Sequence, residues 1–176
     1  MLKRTFLHAA LCVVTAVALS ACVESKTPLI TDAKPLLGES FEVHLYENFN
    51  DNKAADLHTA TYRWSNGQYE RTSGLARDVQ RFVAQRLDGN VFLIQSTSHE
   101  SKTYNYWVGH KLAAGVYSIL PVNENDANTS VRESICGTEH PEGVCRVSTY
   151  AEVAALARAT AKAPEAEASL GVLMAR

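Results

Sequence analysis

The chain has 176 residues, 46% of them apolar, with 17 basic against 19 acidic side chains, five prolines and nine glycines. Those proportions fit one ordinary globular domain and exclude a disordered tail, a collagen-like repeat and a strongly basic nucleic-acid binder. The first 21 residues hold 15 apolar and two basic side chains and no acid. Without them 155 residues remain, about 43% apolar with a formal charge of -4, still enough for a single core.

Lys3 and Arg4 form a positive start, followed by a mainly apolar stretch from Phe6 to Leu19 and then small residues. The stretch is too short for a bilayer-spanning helix, which needs about 20 residues, and suits the core of an export signal. Its boundary, Leu19-Ser20-Ala21-Cys22, resembles the lipobox of bacterial lipoprotein precursors: an aliphatic residue, two small ones, then cysteine. The resemblance implies diacylglyceryl transfer to the Cys22 thiol, cleavage before it and acylation of the new amine. Each buried methylene of such a lipid contributes about 0.8 kcal/mol, so two or three chains anchor without a transmembrane helix. Val23 follows the cysteine, in place of the aspartate that commonly retains enteric lipoproteins at the inner membrane. The implied location is the periplasmic face of the outer membrane, with palmitate the typical acyl group.

Residues 23–40 contain Pro28, Pro35 and Gly38 among polar side chains and read as a tether, partly docked, able to reach roughly 60 Å when fully extended. From Phe41 the pattern has period two, with Phe41, Val43 and Leu45 on one face of a half-buried strand. Thr59–Ser65 and Gln68–Ser73 flank Asn66-Gly67, the signature of a type I′ hairpin, which sets Trp64 opposite Tyr69 and Arg63 opposite Glu70. Further hairpins are predicted for 81–87 with 91–98 around Asp88-Gly89-Asn90, and for 104–112 with 116–122 around Ala113-Ala114-Gly115.

Ser130-Val131-Arg132-Glu133 has capping-box spacing and predicts a short helix ending near Cys136. Thr149-Tyr150-Ala151-Glu152 repeats the signature and opens a helix to about Lys162, with Val153, Leu156, Ala157 and Thr160 on one face. Cys136 and Cys145 are the two thiols left to the mature body, and in an oxidising compartment an isolated pair forms a disulfide. A metal site from Cys136, His140 and Cys145, with Glu139, is the competing reading. It lacks the close cysteine spacing of structural zinc sites.

The expected fold is α+β: mainly an antiparallel β meander or partial barrel of about six to eight strands, with one or two short helices in the C-terminal half. The expected organisation is 1–21 signal peptide, 22–40 lipidated N-terminus and tether, 41–162 globular β-rich domain and 163–176 a mobile tail or edge strand.

None of the mature histidines, His44, His58, His99, His110 and His140, sits in a catalytic spacing. His99-Glu100 lacks the second histidine of a zinc-protease helix, Thr103 standing in its place. No nucleophile elbow, P-loop or dinucleotide-binding pattern is present. The aromatic residues of the hairpins suit either a small core or a ligand groove. Trp107 has parity opposite to Tyr106 and Val108 and shares its face with Asn105, Gly109 and Lys111, so Trp107 and Lys111 mark a candidate contact surface. Asn123-Glu124-Asn125-Asp126 lacks the carboxylate spacing of a calcium loop. The sequence therefore points to a non-enzymatic, membrane-tethered binding or interaction module, with no cofactor and no nucleic-acid partner. A small hydrolase using a histidine and a carboxylate, or a purely structural envelope lipoprotein, are the alternatives.

Overall fold

The computed structural model describes residues 22–46, 57–74, 79–97, 102–137, 144–163 and 169–175. Residues 1–21, read above as an export signal, and His99, Glu139 and His140 lie outside them. The fold is α+β, dominated by an antiparallel meander. Its strands are β1 (Cys22–Ser25), β2 (Ser40–Tyr46), β3 (Leu57–Ser65), β4 (Gln68–Gly74), β5 (Arg81–Asp88), β6 (Val91–Thr97), β7 (Tyr104–Ala113) and β8 (Val116–Pro121). A 3₁₀ turn (Glu124–Asp126), helix α1 (Thr129–Cys136), strand β9 (Val144–Arg146), helix α2 (Tyr150–Thr160) and strand β10 (Ser169–Ala175) complete it. Among the described residues no helix is long and apolar enough to cross a membrane.

Each hairpin forms where the turn chemistry demands it. Asn66 and Gly67 both take positive φ (52° and 78°), as a type I′ turn requires. The register is the predicted one: Ser65 opposite Gln68, Trp64 opposite Tyr69, Arg63 opposite Glu70 and Tyr62 opposite Arg71. A bulge between Thr61 and Tyr62 then shifts the pairing. Gly74, at φ 90°, lies so close to the backbone at Thr59 that no Cβ fits there. β5 to β8 follow as the two further predicted hairpins.

The pairings run full circle. From β2 they pass through β3, β4, β5, β6, β7 and β8, and β10 then pairs with both β8 and β2. Eight strands thus form the ring, with only two residue pairs across the β4–β5 seam, so the barrel is partial and open along that side. Followed from partner to partner once round, the register slips by about a dozen residues, a stagger that tilts the strands steeply and widens the ring. Within the segment expected as a mobile tail or edge strand, Ser169–Ala175 is an interior strand with a partner on each side. β8 and β2 would otherwise each expose a row of unpaired backbone groups, and β10 satisfies both rows at once.

Two strands went unpredicted. β1 pairs antiparallel with β7 and parallel with β9, outside the ring. Four and three residues long, they are too short to show a period. β1 draws the expected tether onto the body. Val23 and Ile30 are almost fully buried, and the side-chain oxygen of Gln95 accepts hydrogen bonds from the Leu29 and Ile30 amides at 2.7 and 2.9 Å.

Alternation along the strands sends side chains to two faces. On the outer face, Val83, Leu93, Tyr106 and Val108 pack with Val23, Ile30, Val122, Cys145 and Val147, and with Val153, Leu156 and Ala157 of α2. α2 carries the predicted capping box, Thr149 accepting from the Glu152 amide while Glu152 accepts from the Thr149 amide. α1 starts earlier than expected. Asn128, not Ser130, is its N-cap, its side-chain oxygen accepting from the Val131 amide, while the Ser130 hydroxyl donates to that same oxygen. α1 ends at Cys136, which is disulfide-bonded to Cys145 of β9 with the Cα atoms 5.0 Å apart. Closing a loop of about ten residues restricts the unfolded chain, worth about 2.7 kcal/mol in the chain-entropy model. Reducing this bond is expected to lower unfolding stability by about that amount, read as a fall in urea midpoint at unchanged far-ultraviolet dichroism.

Candidate functional site

The inner face is identified by its ring contacts. Phe41 of β2 and Phe82 of β5 have two strands between them, yet their ring centroids are 6.2 Å apart. Flat strands about 4.8 Å apart could not bring them together, so this face is concave. Tyr62 contacts Phe82 at 5.0 Å, and Tyr69 contacts Phe41 at 5.1 Å and Phe82 at 4.9 Å. Trp64 joins through Tyr69 at 4.8 Å. The edge-to-face and offset geometries are those that aromatic quadrupoles favour.

The turn at residues 35–38 seals this cluster. The Leu37 amide donates to the Tyr69 hydroxyl at 2.8 Å, and that hydroxyl donates to the Gly38 carbonyl at 2.9 Å. The Tyr62 hydroxyl donates to the Val79 carbonyl. Each buried phenol thus has a partner, while burial still disfavours its ionised form. Burial pushes the Tyr62 phenol up to about 12 despite the opposing charge of Arg71. Tyr69 is raised by burial, lowered by the Leu37 amide and raised again by Glu39 and Tyr117.

The opposite wall comes from β5 to β8: Ala84, Phe92, Ile94, Trp107, Gly109, Tyr117 and Ile119, joined by the pairings Ala84–Ile94, Ile94–Trp107 and Gly109–Ile119. Gly109 lies between Phe92 and Ile119. A Cβ at Gly109 would come within 3.3 Å of the Ile94 Cδ1, and the rings of Phe92 and Tyr117 meet across β7 at 6.0 Å. The Arg86 guanidinium sits 5.4 Å from the Phe92 ring centre and partly offsets the rise that burial imposes on the Tyr117 phenol. Ile94, Trp107, Tyr117 and Ile119 point inward but remain half-buried and belong to neither packed core. These four side chains therefore retain solvent-accessible surface on the inner face.

Trp107 is part of that wall, its indole N–H donating to the Ser96 hydroxyl at 2.9 Å. Lys111 has the same parity and is exposed near the β7–β8 turn. The two residues singled out from the sequence thus share a face, but the tryptophan lines the interior. His44 bonds Glu42 at 2.9 Å and His58 is half-buried on β3. His110 opposes Ser118, with its Nε2 buried and without a hydrogen-bond partner among the described residues. Tyr106 is buried in the core packed on the outer face, where its hydroxyl meets the Ser25 hydroxyl at 2.6 Å.

Glu124 is the residue that sequence reasoning passed over. It is 5% exposed, and its Oε2 has no hydrogen-bond partner among the described residues. One of its carboxylate oxygens and the sulfurs of Cys136 and Cys145 all lie within 4.8 Å of one another. The sequence placed it in a polar loop, and nothing in the spacing of positions 124, 136 and 145 signals their convergence.

Comparison with known protein families, with characterised proteins and with solved structures found no match.

Folding keeps Tyr62 protonated to higher pH than in the unfolded chain. Its contribution is complete below about pH 10 and is lost as pH rises towards 12. Tyr62→Phe is expected to flatten the fall in stability above pH 10, measured by urea unfolding across that range.

Proposed function

We propose that the protein is an exported, lipid-anchored binding module of the cell envelope that holds a small, largely apolar molecule inside its β ring. The observation that carries this reading is the solvent-reached inner wall of Ile94, Trp107, Tyr117 and Ile119 facing an aromatic cluster sealed by residues 35–38. An interior lined by apolar and aromatic groups with a few polar ones is the usual character of a small-molecule site, and eight-stranded rings are wide enough to enclose one. The indole N–H and Ser96 already satisfy each other, so the wall presents mainly carbon to a guest.

The anchor is the lipid that the Leu19-Ser20-Ala21-Cys22 resemblance implies, with the outer membrane's periplasmic face as the location. The mild negative charge of the mature chain opposes attraction to anionic head groups, so the lipid supplies the membrane affinity. In this reading no catalysis is assigned.

In cells, Cys22→Ser is expected to abolish incorporation of labelled palmitate and move the protein from the membrane fraction to the soluble one. Retention of label would refute the anchor. The soluble Cys22→Ser form is expected to bind an uncharged naphthylamine dye, with enhanced dye emission and quenched tryptophan fluorescence. Gly109→Leu, which puts a branched side chain into the interior, is expected to weaken that binding at least tenfold, about 1.4 kcal/mol. Equal binding by a folded Gly109→Leu protein would place the dye elsewhere and sink the interior site.

A further inference from the structure

The 3₁₀ turn, α1 and β9 converge on one spot that the ring interior does not use. The turn contributes Glu124, α1 ends in Cys136 and β9 carries the fully buried Cys145. A carboxylate oxygen and both sulfurs lie within 4.8 Å of one another. Burying a carboxylate is costly unless it is paired, hydrogen-bonded or bound to metal, and Glu124 Oε2, in a side chain only 5% exposed, has no hydrogen-bond partner among the described residues.

We infer that in the reduced chain Glu124, Cys136 and Cys145 form a site for a thiophilic divalent cation of the zinc type, and that the disulfide is the oxidised alternative to it. Two thiolates and a carboxylate match the ligand preferences of zinc and disfavour calcium or magnesium, which take oxygen ligands. Three protein ligands leave a fourth tetrahedral position for water. Binding moves no electrons. The two thiols lose their protons to solvent as they take the metal, so affinity rises with pH. Oxidation is separate: an external disulfide accepts two electrons by thiol–disulfide exchange and leaves as a dithiol, and the protein keeps its S–S bond. The same sulfurs serve both states, so metal and disulfide exclude one another, and either one ties the end of α1 to β9.

The test uses the full-length chain carrying Cys12→Ser and Cys22→Ser, so that Cys136 and Cys145 are its only thiols. It is reduced with a phosphine and titrated anaerobically with Co²⁺, then with Zn²⁺. The reduced protein is expected to bind one Co²⁺ with a thiolate charge-transfer band that Zn²⁺ abolishes, and the oxidised protein to show no band. Glu124→Gln is expected to weaken binding at least tenfold. Should that variant fail to fold, the rate of oxidation by a disulfide reagent decides instead, with Zn²⁺ expected to slow it at least tenfold in the reduced parent. Absence of the band in the reduced parent, a folded Glu124→Gln protein that titrates like it, or oxidation indifferent to Zn²⁺ would each overturn the site.

Discussion

Strands β5, β6 and β7 carry apolar side chains on both faces, and neither face can be left to water. Val83, Leu93, Tyr106 and Val108 point one way, while Ala84, Phe92, Ile94 and Trp107 point the other. A flat sheet would need a covering layer on each side. The chain covers the outer face with α2, α1, β9 and the N-terminal segment, and meets the inner demand by curling the sheet until β2 to β5 come round to face β6 to β8. The rest of the architecture depends on that curl. It brings Phe41 to Phe82, calls for a final strand between β8 and β2, and creates the interior to which a binding role is assigned.

The local features of this arrangement were legible, because local physics decides them. Asn66-Gly67 has few alternatives to a type I′ turn, and once that turn forms, the register of Trp64 and Tyr69 follows. The Thr149 capping box and the spacing of Val153, Leu156 and Ala157 fix α2 and its buried face in the same way. What could not be read is whatever depends on distant closure. A pattern of alternating residues shows that β7 has two faces but not which one is concave, so Tyr106 and Trp107 could be separated by parity and still not be assigned to outside and inside. β1 and β9 are stabilised by the neighbours they meet, and the seven residues of β10 acquire their place only because two ring strands await a partner. The Asn128 cap competed with an equally good serine two residues later.

Two buried polar side chains illustrate how differently such groups can be used. Gln95 has its oxygen filled by two backbone amides and is approached by the Tyr106 hydroxyl, so it holds the N-terminal segment in register with the ring. Glu124 sits at comparable depth beside the disulfide, with one oxygen unanswered among the described residues. The first is a completed structural joint. The second retains an unmet bonding capacity, the property expected where a site waits for something the chain does not itself supply.

The backbone of Cys22 is already the first residue of β1, paired in register with Val144. A lipid on that cysteine would therefore enter the bilayer with no slack behind it. The reach suggested by an extended tether would be replaced by a fixed pose, with the outer layer of the sheet moored beside the head groups. Such a protein can spin about the membrane normal and drift sideways, but it cannot lean far out to search the space beyond. Anything it exchanges with a second membrane or with the cell wall would have to be brought to it, and the plane of the bilayer would restrict the directions from which the ring can be approached.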